Sequence, residues 1–300
     1  MIADLVPVLE SEENGAENAG ISQGKGLKYV CITRLRRFGK TVMANMISSY
    51  FGKGIDSSST FRNLKVSEYK WFKRHLNQHN VIHIMFNEMP DECTTYRQYI
   101  SRIKQRLISD LKEAYPDMVI DDRDALWDIL NDIVEYENGE RFIFILDEWD
   151  FIYHQDFITD EDRIAFTRFL STLLKDQPHV ELAYMTGILP IAKYSSGSER
   201  NMFCEYTMVT EEMYSDVFGF TDSEVDELYA RYLAQRIENW NVTREGLRIW
   251  YDGYHTKGGG RVYNKRSVVL VLTNNNMGNY WTSAEPYDEL FITSAPMWMM

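Results

Sequence analysis

Two short segments carry residues whose types and spacing fit phosphate chemistry. The first ends in Gly39-Lys40-Thr41, which follows an apolar and β-branched run at 29–33 and precedes an apolar helical pattern. This order of strand, turn and helix is the one that a phosphate-binding loop requires. In such a loop the lysine reaches the outer phosphates, the threonine hydroxyl binds Mg²⁺, and the glycine lets the backbone approach the phosphates. The segment therefore predicts a site for the phosphates of a nucleotide.

The loop departs from the usual pattern at its first position. A phosphate loop has a glycine five residues before Gly39, where this chain has Arg34. An ordinary strand-to-helix turn with solvated arginines is therefore an alternative interpretation. If the loop does bind phosphate, its positive charges serve the nucleotide. The predicted nucleotide-binding residues are then Arg34, Arg36, Arg37, Phe38, Gly39, Lys40, Thr41 and Val42.

An acidic pair after a second apolar run favours the nucleotide interpretation. Five apolar residues at 142–146 indicate a strand that is buried on both faces, as in parallel sheets. Asp147 and Glu148 follow at its carboxyl end, the edge where open α/β sheets place their ligands. We expect Asp147 to hold Mg²⁺ together with Thr41, and Glu148 to orient and deprotonate the attacking water. The alternative is a strand end with two solvated acids.

Further candidates follow a predicted strand at 180–185. Thr186 ends that strand and could contact the γ-phosphate or its attacking water as a catalytic sensor. It could equally be a strand-terminal threonine before the turn at Gly187. Lys193 and Arg200 lie beyond it in a loop rich in serine and glycine. Either could supply positive charge to the transition state, or both could be solvated.

These motifs resemble those of the AAA-ATPase-like family of bacterial P-loop proteins. The sequence Arg-Arg-Phe-Gly-Lys-Thr at 36–41 is similar to the arginine-rich loop of that family, which also lacks the first glycine. Other family-like motifs follow in the same order, at 147–150, 186–191, 218–221, 250–254, 262–264 with 267–268, and 280–281. The resemblance covers approximately residues 28–283.

The resemblance implies an α/β fold, a three-layer P-loop NTPase core with a parallel sheet of the additional-strand, catalytic-glutamate type. It also implies ATP and Mg²⁺ as ligands, although no residue pattern by itself separates ATP from GTP. The expected organisation is an acidic, flexible segment at 1–27 in which only residues 2–9 are ordered, an ATPase core at 28–209 and a small C-terminal helical lid at 210–300. The PD-(D/E)XK nuclease-like domain that often follows in the family is expected to be absent, and the chain could be a fragment.

Composition narrows the class of protein. With 300 residues and 44% hydrophobic content, the chain can bury one large core and a smaller subdomain. A net charge of −13 argues against a generally basic nucleic-acid-binding surface, although the arginines of the loop leave a local contact open. Three scattered cysteines and the absence of a long apolar run predict a cytoplasmic protein without a membrane span. His75 and His79, in a stretch rich in Lys, Arg and Asn, are expected on the surface.

The predicted function is therefore ATP binding, with hydrolysis of MgATP that rearranges the lid or a partner. One alternative is a nucleotide-gated interaction module with little turnover. Others are an ATPase fragment that serves a nuclease-like domain in a longer protein, and a degraded remnant that binds nothing. A homo-oligomer or a partner protein is an open expectation.

Overall fold

The computed structural model describes residues 1–13, 28–191, 202–208, 213–235, 239–251, 253–257 and 259–280. The chain divides into two compact units. We call residues 1–32 and 43–205 the sheet unit, and residues 33–42 and 206–300 the loop unit. The loop unit thus contains the predicted phosphate loop together with the described C-terminal segments.

A five-stranded sheet in the order β2-β3-β4-β1-β5 underlies the fold. Its strands are β1 (Tyr29–Thr33), β2 (Asn80–Met85), β3 (Phe142–Asp147), β4 (Val180–Gly187) and β5 (Cys204–Thr207). β2, β3 and β4 pair in parallel, with Met85 opposite Asp147 and Leu146 opposite Met185. Because β4 lies between β3 and β1, the sheet has the additional strand that the family resemblance implies. The parallel α/β fold is confirmed.

Helices with apolar stripes flank the strands. All six residues of β3 are buried, as expected for a strand that is covered on both faces. The apolar stripe of the helix at 96–114 is buried at Ile100, Leu107, Ile108 and Leu111, and only partly at Ile103. The α-helices between residues 2 and 174 are α1 (Ile2–Glu13), α2 (Lys40–Phe51), α3 (Ser58–Phe61), α4 (Phe72–His75), α5 (Tyr96–Ala114), α6 (Leu126–Tyr136) and α7 (Asp160–Leu174).

The N-terminal helix α1 is longer than the sequence suggests. Order was expected only for residues 2–9, yet the helix continues to Glu13. Leu5, Val6 and Leu9 are fully buried, which explains why a segment that contains Pro7 is helical. The remaining residues of the predicted acidic segment, 14–27, lie outside the described residues.

The expectation that His75 and His79 lie on the surface is wrong. His75 is 1% exposed, and its Nδ1 atom lies 3.0 Å from Nε2 of His79. The two rings stack, and Nδ1 of His79 lies 3.2 Å from a carboxylate oxygen of Glu181. The polar residues around His75 in the sequence suggested an exposed segment. His75 instead ends the short helix α4, in which Phe72 is also buried.

Three helices build the described C-terminal part of the loop unit. They are α8 (Asp222–Leu233), α9 (Arg244–Tyr251) and α10 (Lys265–Asn274), with a short antiparallel pair of β6 (Tyr254–His255) and β7 (Arg261–Val262) between them. Thr221 and Glu224 form a capping box at the start of α8. The apolar core contains Val225, Tyr232, Leu247, Tyr251, Tyr263, Val268 and Val271. Within the described ranges, no helix is both long and apolar enough to cross a membrane.

Candidate functional site

The predicted phosphate loop is a tight turn between β1 and α2. Arg37 and Gly39 both have positive φ angles, 70° and 92°, which is readily adopted by glycine and unusual for arginine. Left-handed residues in a turn let neighbouring N–H groups point to one side, as in the backbone nests that bind anions. Since α2 begins at Lys40, the N–H groups of its first turn, which have no acceptor within the helix itself, lie at the end of this turn. The local backbone therefore has the features of an anion-binding loop.

The side chain of Lys40 is enclosed by the loop that precedes it. Its ammonium donates to the carbonyl oxygens of Arg34 at 2.8 Å and Leu35 at 3.1 Å. The residue is only 6% exposed. The loop thus wraps around the lysine head group, which is the group expected to meet a phosphate.

Arg34 has a different environment from the one that the sequence suggested. Its guanidinium is buried and donates to the carbonyl oxygens of Thr33 at 2.9 Å, Tyr206 at 2.6 Å and Tyr214 at 3.1 Å. It also lies over the ring of Phe218, 5.3 Å from the centroid. Because the guanidinium of Arg34 donates to these three backbone carbonyl groups, it anchors the start of the loop. We therefore do not retain the guanidinium of Arg34 among the phosphate ligands.

The remaining loop residues differ in accessibility. Phe38 is fully buried and packs edge to face against Tyr254, with ring centroids 4.9 Å apart. Its side chain therefore supports the loop, and only its backbone could face a nucleotide. Arg37 is exposed, Arg36 and Thr41 are half-buried, and Val42 is 63% exposed.

In the sheet unit, three predicted residues meet at the carboxyl ends of β3 and β4. Asp147 and Thr186 are buried, and the Thr186 hydroxyl donates a hydrogen bond to a carboxylate oxygen of Asp147. The backbone N–H of Glu148 lies 3.2 Å from that carboxylate and 3.4 Å from the Thr186 hydroxyl. Parallel strand pairing explains this arrangement, because neighbouring parallel strands end at the same edge of a sheet.

Glu148 stands out from its neighbours in exposure and backbone conformation. Asp147, Trp149 and Asp150 are buried, whereas Glu148 is partly exposed. Its φ angle of 51° is left-handed, a conformation that is uncommon for a residue with a side chain and often occurs at functional sites. A carboxylate at this position can reach water while the residues on either side remain in the core.

Sequence reasoning missed the residues that hold this edge in place. The Asp150 carboxylate accepts hydrogen bonds from the N–H groups of Ile188 at 2.9 Å and Leu189 at 2.7 Å. Gly187 must lack a side chain, because a Cβ there would lie 2.4 Å from Nε1 of Trp149. Two features of the sequence could have indicated these roles. They are the acid at the fourth position of the Asp-Glu-Trp-Asp segment and the glycine directly after Thr186.

The candidate metal ligands are all oxygen atoms. The Asp147 carboxylate and the Thr41 hydroxyl, the two predicted ligands, are hard donors of the type that Mg²⁺ prefers. Magnesium sites in nucleotide-binding proteins use few protein ligands, because phosphates and water complete the coordination. The part of the chain that is described contains no cluster of three or more His, Cys, Asp or Glu residues that could hold a metal alone. Lys193 and Arg200 lie outside the described residues.

Comparisons with known proteins find a matching family and similar solved structures, of which ORC2 is one. A family model described as Predicted AAA-ATPase matches residues 23–196, more than half of the chain. The ORC2 protein of Aeropyrum pernix, solved as ADPNP-ADP complexes, is 13% identical with a TM-score of 0.43. That alignment covers 90% of this chain and 60% of the ORC2 chain. This chain therefore spans less than two thirds of the length of ORC2. No curated protein matches.

Proposed function

The chain belongs to the AAA-ATPase-like family of predicted AAA-ATPases, and from this premise we propose that it binds and hydrolyses ATP as the magnesium complex. The observation that carries the proposal is the turn at 34–39, which encloses the Lys40 ammonium immediately before the first turn of α2. In an ordinary solvated turn, we would expect the lysine side chain to extend into water instead of being buried. The family match includes both this loop and the acidic edge.

In the proposed site, Lys40 and the backbone N–H groups of Gly39 and Thr41 bind the phosphates. The Thr41 hydroxyl and the Asp147 carboxylate hold Mg²⁺. When bound, the metal ion neutralises charge on the outer phosphate oxygens. Arg36 and Arg37 add positive potential around the loop, and the exposed Val42 contacts the nucleotide.

Glu148 is the proposed general base. Its partial exposure lets water reach the carboxylate, which would orient that water and accept its proton. Thr186 has two compatible roles. Its hydroxyl donates to Asp147 and thereby keeps the carboxylate in place, and in the sensor role it would also contact the γ-phosphate or the attacking water.

The proposed consequence of hydrolysis is a rearrangement of the helical region, acting as a lid, or of a partner. The loop is connected within its own unit to distant residues, through Arg34 to Tyr206 and Tyr214. Loss of the γ-phosphate would change the contacts of the loop, and these bonds offer a route to the residues beyond 206. A nucleotide-gated module with little turnover uses the same contacts, and the rate of phosphate release distinguishes the two. A homo-oligomer, a cytoplasmic location and a nuclease-like domain in a longer protein remain proposals.

Thermal unfolding with and without MgATP tests the binding proposal. A ligand at 100-fold over its Kd stabilises the folded protein by about 2.7 kcal/mol. At about 2–4 °C per kcal/mol for a protein of this size, the midpoint should rise by roughly 5–11 °C. Lys40→Ala should remove the shift. No shift in the wild-type protein at millimolar MgATP would contradict the proposal.

A further inference from the structure

A second lysine, Lys265, lies beside the glycine of the phosphate loop. A Cβ placed on Gly39 would lie 3.5 Å from Cδ and 3.6 Å from Nζ of Lys265. The side chain of Lys265 therefore runs along the loop at the residue that precedes Lys40. We propose that Lys265 is a second cationic ligand of the nucleotide phosphates. This inference rests on the proposed function and adds a residue to the same site.

The position of Lys265 is fixed by its neighbour in the chain. Lys265 is the first residue of α10, and Asn264 caps that helix by accepting from the N–H of Ser267 at 3.1 Å. The side-chain amide of Asn264 also donates to the carbonyl oxygen of Arg36 at 3.3 Å. One asparagine thus joins the start of α10 to the phosphate loop. The place of Lys265 beside Gly39 is set by these bonds.

The protein offers only weak interactions to the positive charge of the Lys265 ammonium. It donates to the carbonyl oxygen of Val217 at 3.3 Å and lies 5.5 Å from the ring centroid of Phe220. No ion pair joins it to a carboxylate among the described residues, although the charge of Glu224 acts on it from a greater distance. Burial lowers the pKa of Lys265, because the charged form loses water without gaining a close anion. A phosphate on the loop would supply that anion.

Local helix stability does not explain a lysine at this position. The first turn of a helix carries a partial positive charge and favours acidic side chains. α10 instead begins with Lys265 followed by Arg266, and it has no acid in its first turn. A cation at this helix start becomes favourable when an anion lies beside it. The expected ligands are nucleotides with several phosphates, and the contribution of Lys265 should increase with their number.

Calorimetric titration with MgATP tests the proposal through a matched pair of variants. Lys265→Met removes the ammonium and keeps most of the aliphatic chain. Arg266→Met removes a positive charge from the next residue, which is exposed and lies in the same turn. A charge-assisted contact in a partly exposed site predicts that Lys265→Met weakens binding by about tenfold, which corresponds to about 1.4 kcal/mol. Arg266→Met should stay within about twofold, and Lys265→Arg should retain most of the affinity.

A comparison of ATP with AMP, made in both variants of Lys265, separates a phosphate contact from a structural role. If the Lys265 ammonium contacts the phosphates, Lys265→Met should weaken ATP more than AMP, and Lys265→Arg should restore the wild-type ratio of the two affinities. If Lys265 only supports the loop through its aliphatic chain, Lys265→Met keeps that chain and should leave the ratio unchanged, and that outcome overturns the proposal. Each ratio is measured within one variant, so it remains valid when Lys265→Met also lowers the melting midpoint without nucleotide.

Failure of the inference is distinguishable from failure of the proposed function. If Lys40→Ala abolishes binding while Lys265→Met binds MgATP like the wild type, the role of Lys265 is wrong and the ATP site stands. If the wild-type protein binds no MgATP at all, both proposals are wrong.

Discussion

The phosphate loop and the acidic edge are held in place by different interactions. The acidic edge depends on parallel strand pairing and on bonds between neighbouring strand ends, such as Thr186 to Asp147 and Asp150 to Leu189. The loop depends on a buried cation that reaches carbonyl groups 172 and 180 residues away in the sequence.

This difference separates a rigid element from an adjustable one. The end of β3, a strand that is buried at every residue, can move only if the sheet deforms. A loop held by a few side-chain bonds can rearrange when a ligand replaces them. Lys40 illustrates the point, because its ammonium donates to carbonyl oxygens of its own loop and could exchange them for phosphate oxygens. We infer that nucleotide binding reorganises the loop, while the acidic edge supplies fixed groups for catalysis.

The largest expected effect is a loss of MgATP turnover without a loss of MgATP binding. Glu148→Gln removes the proposed base and leaves the loop unchanged. Because a positioned general base contributes about 10²–10⁴-fold, turnover of MgATP should fall by that factor. The shift of the melting midpoint with MgATP should persist, and Lys40→Ala is the control that loses both. Phosphate release measured under saturating MgATP checks this, and an unchanged rate would remove Glu148 from the catalytic role.

The next effect concerns the anchor of the loop. Arg34→Met removes a buried guanidinium and leaves the carbonyl groups of Tyr206 and Tyr214 without that donor. An unsatisfied buried polar group costs about 1–3 kcal/mol, so the free energy of unfolding should fall by roughly 2–4 kcal/mol. Arg37→Met, at an exposed arginine of the same loop, should change it by less than about 0.5 kcal/mol. Urea unfolding measures both, and equal effects would refute the anchoring role.

The smallest effect is a pH dependence from the sheet unit. His179 is buried, with Nε2 2.9 Å from the carbonyl oxygen of Leu173 and Nδ1 2.9 Å from the side-chain oxygen of Asn131. Burial lowers the pKa of His179 below its ordinary value of 6.5. The unfolded chain therefore binds a proton more readily, and stability that is present above pH 6.5 is lost as the pH falls toward the folded-state pKa.

Urea midpoints at pH 7.5, 6.5 and 5.5 measure this dependence. Burial also lowers the pKa values of His75 and His83, so the comparison needs a variant that isolates one ring. In His179→Gln the decline between pH 7.5 and 5.5 should be smaller than in the wild type. Identical slopes would show that His179 does not contribute to the loss of stability at low pH.

Local patterns in the sequence were sufficient for the elements of the fold. Apolar runs predict β1, β3 and β4, and the capping box at Thr221 marks the start of α8. The contact between Asp147 and Thr186 agrees with the sequence pattern, because both residues lie at the carboxyl ends of apolar runs that form neighbouring parallel strands.

Contacts over long sequence separations could not be predicted. The direction of the Arg34 side chain is decided by carbonyl groups far along the chain, and the sequence reveals only its charge. The same limit applies to Lys265 beside Gly39, and to the pairing of His79 with Glu181. Each of these side chains is polar, so hydrophobic periodicity carries no information about where it lies.

The central claim is that the phosphate loop and the acidic edge bind one magnesium nucleotide. A crystal structure with Mg²⁺ and a non-hydrolysable ATP analogue tests it most directly. The account predicts the Lys40 ammonium on the outer phosphates, Thr41 and Asp147 at the metal ion directly or through one water, and Glu148 facing the γ-phosphate. A nucleotide bound to the loop with Asp147 and Glu148 remote from its phosphates would contradict the account.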